Sequence, residues 1–393
     1  MGKGLLLGRF ANFILCILPI LLFCACSPQT PAGAGERSIT VQYSPNPARD
    51  AAKTEDTPLP SPVNSPVTSS AAPSSLELIK AEDYKLKRPY ELGQIMIIMY
   101  HGLIEGDDSK DYYQRNKDNF RNDLQTFYDR GFRLISLEDW FTNNITVEAG
   151  YSPLALTFDD GKATAFSLQK ADGGLEPTTD CAVDIMTKFS DEHPDFGNTA
   201  TFFICDGPEP FFGEGTLTER FTYLIEHGYD IGNHTQNHNQ MNKMDAKTIQ
   251  DEIGFIDQMI KNNAPGYIPI AFSYPYGIRP KEEFYPYILD GTYDGKEYHY
   301  LFGLREGQSG TPSAVNRVGF DPLGVPRVRA SDNEDTDLGW QLRNFEEFPE
   351  KRYISDGLPD RISVPVEFAE NLDRNSLNGK ELYLYDENGN PAE

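Results

Sequence analysis

Short apolar runs alternate with amphipathic segments along most of the chain. The apolar runs are typical of buried strands and lie at 95–99, 154–158, 200–204, 229–232 and 271–274. Helical spacing of apolar residues predicts helices over 120–130, 181–189, 217–227 and 245–262. Asp245 is the expected N-cap of the last helix. This alternation predicts an α/β protein with a mainly parallel sheet, either doubly wound or curled into a barrel.

The residues that follow these runs form the first candidate site. Parallel α/β folds carry their functional groups at the carboxyl ends of the strands. Polar side chains occupy that position after several of the predicted strands: His101, Asp159, Asp160, His234 and Tyr276. We therefore expect them to lie close together.

Two of these positions belong to a possible metal site. His234 and His238 are four residues apart, a spacing that lets two imidazoles face one ion. Asp159 and Asp160 precede Gly161, where a bend would let both carboxylates serve one pocket. Taken singly, the histidine pair could lie on a solvated turn and the aspartate pair could be an ordinary turn. Together, two histidines and one carboxylate are typical of a catalytic zinc site.

Four short motifs give this chain a family resemblance. They are TFDDG at 157–161, HTQNH at 234–238, FSYPYG at 272–277 and MYHG at 99–102. The first three, in this order, resemble the polysaccharide deacetylases, also called NodB homology domains or carbohydrate esterase family 4. MYHG resembles the first-strand signature common in the extracellular branch of that family. The resemblance covers roughly 95–329 and implies a distorted (β/α) barrel with one divalent metal ion, most often Zn²⁺.

The resemblance also implies a role for each residue that matches a motif. Asp160, His234 and His238 would be the metal ligands. Asp159 would be the general base that takes a proton from the attacking water. The backbone N–H of Tyr276 would stabilise the tetrahedral oxyanion together with the metal.

The chain departs from the family pattern at two places. Ser273 occupies the position where the family usually has an arginine that orients the base carboxylate. The family's Leu-x-His motif, which supplies the general acid, has no counterpart after Tyr276, although VPRVR at 325–329 resembles a closing strand. His101 is the candidate acid; alternatively it only shapes the barrel, and the proton would come from Asp159 or the metal's water. His299, the other candidate, is expected on a surface loop.

The two ends of the chain are expected to lie outside the barrel. Residues 1–25 resemble a lipoprotein signal peptide, with basic residues before the apolar stretch 13–23. Cys26 would then be lipidated and anchor the protein to a membrane; an ordinary signal peptide cut after Ala25 is the alternative. The Pro/Ser/Thr-rich segment 26–75 is expected to be a disordered linker. The deacetylase domain would span 76–338, and 339–393 would be an irregular, polar extension with a small β element at 362–368 and 381–385.

Composition narrows the range of partners. The chain has 393 residues, 39% of them hydrophobic, and a formal net charge of −25, which argues against nucleic-acid binding. After the signal region only Cys181 and Cys205 remain, so the folded part holds either one disulfide or two buried free thiols.

These observations favour one function and leave two alternatives. We expect a monomeric, extracytoplasmic, lipid-anchored hydrolase that removes N-acetyl groups from a cell-surface or extracellular glycan, either peptidoglycan or poly-N-acetylglucosamine. One alternative is a catalytically impaired glycan-binding lipoprotein, because the usual general acid is missing. The other is an O-acetyl esterase, or an amidase acting on a substrate other than a sugar, that uses the same metal site.

Overall fold

The computed structural model describes residues 81–207, 209–306, 311–333 and 335–392. The predicted signal peptide 1–25, the lipidation site Cys26 and the linker 26–75 lie outside the described residues and stay predictions. Within the described ranges, no helix has both the length and the apolar character needed to cross a membrane.

Helices and strands alternate along the described chain. The α-helices are α1 Ala81–Lys87, α2 Lys117–Asp129, α3 Leu137–Phe141, α4 Ala182–Glu192, α5 Leu217–Glu226, α6 Ala246–Asn263, α7 Pro286–Leu289 and α8 Leu338–Glu347. The strands are β1 Met96–Tyr100, β2 Leu103–Ile104, β3 Arg115–Asn116, β4 Phe132–Leu134, β5 Ser152–Phe158, β6 Leu168–Ala171, β7 Gly174–Pro177, β8 Thr201–Ile204, β9 Asp230–Asn233, β10 Ala271–Ser273, β11 Asp290–Tyr293, β12 Lys296–His299, β13 Phe302–Leu304, β14 Val328–Arg329, β15 Arg361–Pro365 and β16 Glu381–Tyr385. Short 3₁₀ helices lie at Met241–Lys243, Pro275–Gly277, Glu282–Phe284, Pro349–Lys351, Val366–Asn371 and Arg374–Ser376.

The central sheet is parallel and curls until its two edges meet. Its strand order is β13-β10-β9-β8-β5-β1-β14, and β4 adds to β5. Val325 forms a parallel bridge to Leu304 at the end of β13, and three residues later Val328 pairs with Ile98 of β1. The segment 325–329 therefore joins the first and last strands and closes a distorted barrel. This confirms the predicted fold class and decides between the barrel and the doubly wound sheet.

The core lies between this sheet and the helices around it. All seven residues of β5 are buried, as expected for a parallel strand covered on both faces. Phe158 at its end stacks on Phe202 of β8 with ring centroids 5.0 Å apart. Apolar residues of α2, α4, α5 and α6 pack into the same cluster. The carboxyl end of β5, which carries Asp159 and Asp160, is thus anchored in the main core.

The predicted strands and helices are confirmed with shifts of a few residues at their ends. Asp245 caps α6 as expected, because its side chain accepts a hydrogen bond from the Thr248 N–H. The expectation of irregular chain after 338 was wrong, since α8 begins there. Leu338 and Phe345 of α8 are buried in the main core. Their spacing places them on one face of a helix, but the polar residues between them obscured this pattern in the sequence.

The C-terminal segment contains the expected β element. Strands β15 and β16 pair in parallel, and Ile362 and Val364 pack against Tyr90 and Leu92 near the start of the described chain. Close by, the Glu91 carboxylate accepts a hydrogen bond of 2.8 Å from the Ser363 N–H. The segment is therefore joined to the barrel through both apolar and polar contacts.

The structure decides whether the two cysteines form a disulfide. Cys181 and Cys205 are both buried and both free, so the described part of the chain holds two thiols and no disulfide between them.

A buried ion pair ties β15 to the preceding loop, and its loss should destabilise the protein. Arg361 Nε lies 2.9 Å from Asp356 Oδ2, with side chains only 8% and 0% exposed. Arg361→Met would leave the Asp356 carboxylate buried without its cation. We expect it to lower the free energy of unfolding by about 3 kcal/mol in urea titrations.

Arg88→Met is the matched control. Arg88 and Glu367 are also 2.9 Å apart, but their side chains are 48% and 46% exposed. Solvent screens such a pair, so the expected loss is below about 1 kcal/mol. Equal losses for the two variants would contradict the structural importance of the buried pair.

Candidate active site

The predicted site residues converge at one end of the barrel. Asp159 and Asp160 follow β5, His234 follows β9, and Tyr276 lies in the turn after β10. His101 directly follows β1. Because the strands are parallel, all these positions are at their carboxyl ends, and the sheet's curvature turns them toward a common mouth.

Two of these side chains, Asp160 and His234, form a cluster with His238 that is suited to a metal ion. One donor atom each from Asp160, His234 and His238 lies within 4.8 Å of the others. Asp160 Oδ1 is 3.6 Å from His234 Nε2 and 3.5 Å from His238 Nε2. Tetrahedral ligands bound at about 2 Å from zinc are about 3.3 Å apart, so the two distances from Asp160 are close to those of a ligand set.

Local backbone geometry aims these ligands. Asp160 and His238 adopt left-handed conformations, with φ of 69° and 52°, which turn both residues out of the extended path of the chain. His234 Nδ1 is 2.8 Å from the Ser273 carbonyl oxygen, to which it donates a hydrogen bond. That bond leaves Nε2 with its lone pair facing Asp160, as is usual for a metal-binding histidine.

The cluster contains an unpartnered polar atom that a cation would satisfy. Asp160 Oδ1 is buried and has no hydrogen-bond partner, because both histidine nitrogens are too distant for one. The other oxygen, Oδ2, lies 3.2 Å from Lys162 Nζ. A buried carboxylate oxygen beside two imidazole lone pairs is unfavourable by itself and favourable around a divalent ion. The residues present therefore fit a metal.

The neighbouring carboxylate has a different environment. Asp159 is 2% exposed, and Arg327 holds it with two hydrogen bonds, from Nη1 to Oδ1 at 2.8 Å and from Nη2 to Oδ2 at 2.6 Å. Burial alone would raise the pKa of Asp159, but the Arg327 guanidinium and His234 hold that pKa well below its usual range. Asp159 is therefore ionised at physiological pH.

Arg327 is the functional residue that sequence analysis missed. It comes from the segment 325–329 that closes the barrel, and it is fully buried. It also donates to Thr157 Oγ1 at 3.0 Å, to Ser273 Oγ at 2.8 Å and to the Arg305 carbonyl oxygen at 2.9 Å. The sequence feature that could have identified it is an arginine among the apolar residues of the short segment 325–329.

Ser273 does not replace the family's arginine by itself. Its Oγ is 3.4 Å from Asp159 Oδ2, at the long end of hydrogen bonding, and it receives a bond from Arg327. The positive charge beside Asp159 is thus supplied from another strand, and Ser273 leaves the space in which the Arg327 side chain fits.

The two candidate general acids lie in different environments. His101 is coupled electrostatically to Asp159 and Asp160; burial lowers the pKa of His101, and the two carboxylates oppose that shift. Its Nδ1 is buried without a hydrogen-bond partner, so no bond within the barrel occupies that nitrogen. His299 lies on the exposed strand β12, with Nδ1 2.5 Å from Asp290 Oδ1.

Tyr276 borders the metal cluster with its side chain. The residue has a φ of 58° and lies within the 3₁₀ turn Pro275–Gly277. Its ring is 54% exposed, and the ring centroid is 4.6 Å from that of His238. The arrangement as a whole combines a cluster of one carboxylate and two imidazoles that fits a cation with an ionised aspartate beside it.

Solved structures with a similar fold include three bacterial deacetylases. The Streptococcus pyogenes deacetylase PplD is 19% identical, with a TM-score of 0.46, over 64% of this chain and 97% of that protein. The Bacillus cereus polysaccharide deacetylase BC0361 is 18% identical, with a TM-score of 0.44, over 64% and 68%. A de-N-acetylase from Aggregatibacter actinomycetemcomitans is 13% identical, with a TM-score of 0.43, over 64% and 99%.

One segment of the amino-acid sequence matches a known family. None of the curated proteins compared with this chain gives a significant match. Residues 147–284, which carry Asp159, Asp160, both histidines of the cluster and Tyr276, match the polysaccharide deacetylase family. The match confirms the predicted resemblance over residues 147–284.

Proposed function

We propose that this protein is a metal-dependent hydrolase that removes N-acetyl groups from a glycan. Asp160, His234 and His238 would hold the ion, with Zn²⁺ the best match to two imidazoles and one carboxylate. The observation that carries the proposal is the pairing of this cluster with a second carboxylate, Asp159, which Arg327 keeps ionised and whose Oδ2 lies 3.7 Å from His234 Nε2.

The chemistry needs an activated water and a polarised carbonyl. A divalent ion bound at the cluster would supply both, by lowering the pKa of water toward about 7 and by acting as a Lewis acid. Asp159 would accept the proton of the attacking water. Its low pKa makes it a weak base, so its contribution depends on position, which the two hydrogen bonds from Arg327 fix.

Two further groups would complete the reaction. The backbone N–H of Tyr276 would donate to the developing oxyanion. His101 would protonate the leaving amine, since it is a histidine at the same mouth whose Nδ1 is not used within the barrel. Arg327 would act as a positioning residue, because it contacts the base and not the substrate.

The substrate and location follow from the sequence and stay proposals. A signal peptide with a lipidated Cys26 would place a monomeric enzyme outside the cytoplasm on a membrane. Peptidoglycan and poly-N-acetylglucosamine are the N-acetylated glycans that a surface-anchored enzyme would meet. The net charge of −25 favours a neutral or cationic polymer over an anionic one.

Acetate release tests the proposal directly. The full chain loaded with Zn²⁺ should release acetate from N-acetylglucosamine oligomers or from peptidoglycan. Asp159→Asn should reduce this activity at least about 100-fold while retaining bound zinc, because it removes the base and spares the ligands. Asp160→Ala should lose both zinc and activity, as measured by elemental analysis and acetate assay.

Asp172→Asn is the control for these variants, because Asp172 is an exposed residue beyond the end of β6. It should keep both zinc and activity. A zinc-loaded wild-type protein that releases no acetate from any glycan would overturn the proposal and favour the glycan-binding alternative.

Arg327 should control turnover more than substrate binding. Arg327→Lys keeps a positive charge but loses the two parallel hydrogen bonds to Asp159. We expect kcat to fall about tenfold or more, with little change in KM, because the base is misplaced and the substrate is not touched. Steady-state kinetics, together with thermal unfolding to verify folding, provide the measurement.

The control for Arg327 is a partly exposed arginine that also pairs with an aspartate. Arg279 lies 2.8 Å from Asp321, and Arg279→Lys should leave kcat unchanged. A rise in KM with unchanged kcat for Arg327→Lys would show that Arg327 acts on the substrate and not on the base.

Comparing an amide substrate with an ester substrate tests whether His101 protonates the leaving group. An amine must be protonated to leave, whereas an alcohol leaves with less help. His101→Ala should therefore slow release of N-acetyl groups about 100-fold and slow O-acetyl release much less. His299→Ala, the exposed histidine on β12, should change neither rate.

Equal losses on amide and ester would mean that His101 only shapes the pocket. A wild-type protein that cleaves acetyl esters but not acetyl amides would favour the O-acetyl esterase alternative.

A further inference from the structure

The turn that carries Asp160 has a backbone that needs support from outside. Asp160 and Gly161 are both left-handed, with φ of 69° and 60°. This conformation costs free energy for a residue with a Cβ, so it persists where neighbouring structure imposes it. The contacts that the rest of the chain makes with this turn therefore decide where the Asp160 carboxylate lies.

The segment 209–215, which lies between β8 and α5, makes such contacts. The Phe211 N–H donates a hydrogen bond of 2.8 Å to the Gly161 carbonyl oxygen. Pro210 packs against Gly161, where an added Cβ would lie 3.2 Å from Pro210 Cβ. The Phe211 side chain is fully buried, and its ring centroid lies 5.8 Å from that of Phe202 in the main core. The segment is therefore anchored in the core and fixes Gly161 from outside the turn.

Arg220 of α5 holds this segment together from one side. Its side chain is buried, and its guanidinium donates to five acceptors of the segment. They are Glu209 Oε1 at 2.6 Å and the carbonyl oxygens of Pro210 at 3.2 Å, Gly213 at 3.1 Å, Glu214 at 3.3 Å and Gly215 at 2.9 Å. These acceptors lie on both sides of Phe211 along the chain. A planar guanidinium with donors in several fixed directions can span them, whereas the three donors of an ammonium group share one nitrogen.

Strand β6 supports the segment from another side. The Glu214 N–H donates to the Leu168 carbonyl oxygen at 2.9 Å. Gly213 lies so close to β6 that an added Cβ would be 2.9 Å from the same oxygen. The segment is thus held between α5 and β6, and it passes its position to the Asp160 turn through Phe211 and Pro210.

The two histidines of the cluster are held by a different element. Glu252 of α6 is buried and accepts hydrogen bonds of 2.8 Å from both the backbone N–H and the side-chain Nδ2 of Asn237. Asn237 directly precedes His238. The carboxylate and the imidazoles therefore reach the cluster from separately supported segments, so a shift of one segment would change the spacing of the ligand atoms.

We propose that Arg220 is a positioning residue for the metal site. It clamps segment 209–215, and this segment fixes the turn that presents Asp160 to the two histidines. A ligand oxygen must come within about 2 Å of the ion, so a small displacement of the turn weakens binding. This inference rests on the proposed function, because it assigns a further residue to the same metal site.

Zinc affinity of the full chain, freed of metal and titrated against a chromophoric chelator, tests the inference. Arg220→Lys keeps the charge beside Glu209 but cannot span the carbonyl oxygens. We expect it to weaken zinc binding about tenfold, as is typical for residues that orient metal ligands. The absorption spectrum of the Co²⁺-loaded variant should also change, since the geometry of the ligand set changes. Wild-type affinity in a folded Arg220→Lys protein would overturn the inference.

Arg121→Lys is the matched control. Arg121 lies 2.6 Å from Asp180, the same distance as Arg220 from Glu209, but its side chain is 41% exposed against 4% for Arg220. It should bind zinc like the wild type. Glu209→Gln should change the affinity less than about twofold, because the four carbonyl acceptors remain. A loss as large as that of Arg220→Lys would mean that the ion pair, and not the clamp, matters, and would overturn the inference.

Gly213→Ala displaces the same segment without changing Arg220. Its added Cβ would collide with the Leu168 carbonyl oxygen of β6, so the segment must shift. We expect weaker zinc binding here as well, which keeps the inference testable if Arg220→Lys does not fold. Thermal unfolding of each variant verifies the fold. A folded Gly213→Ala protein with wild-type affinity would overturn the inference.

Amide hydrogen exchange of the metal-free protein separates this inference from the proposed function. The Phe211 amide proton makes the bond to Gly161, so its exchange rate reports on that contact directly. Arg220→Lys should speed its exchange about tenfold, with no change in α2 as the reference. This outcome is expected even if the wild-type protein binds no zinc or releases no acetate. Equal exchange at Phe211 in the variant and the wild type would overturn the inference and leave the proposed function standing.

Discussion

The buried ion pair between Arg327 and Asp159 is the interaction on which the rest of the site depends. Both partners are almost completely buried, so the carboxylate could not stay ionised there without the guanidinium. Arg327 belongs to the segment that joins β13 to β1, so the same residue lies where the barrel closes and where Asp159 is held. The segment that closes the barrel therefore also positions Asp159.

Two adjacent carboxylates acquire opposite roles through their neighbours. Asp159 uses both oxygens to accept hydrogen bonds from Arg327, so its charge is already balanced by a fixed cation. Asp160 adopts a left-handed conformation that turns it toward His234 and His238 and leaves one buried oxygen unpartnered. A guanidinium beside one carboxylate and two imidazoles beside the other thus give Asp159 and Asp160 the two environments that the proposed base and the proposed metal ligand need.

The rim of the barrel mouth is braced beside this cluster. Glu306 packs on Gly277 and accepts a hydrogen bond from the Tyr113 hydroxyl. One residue therefore contacts both Tyr113 and the turn that carries Tyr276.

The amino-acid sequence by itself determined the strands, the polar residues at their carboxyl ends and the cluster of Asp160, His234 and His238. These features depend on local periodicity, and parallel strands bring their ends together whatever else the chain does. The partner of Asp159 was decided only by the tertiary structure. Arg327 lies 168 positions from Asp159 along the chain, and no local pattern shows which strand closes a barrel or which buried charge meets another.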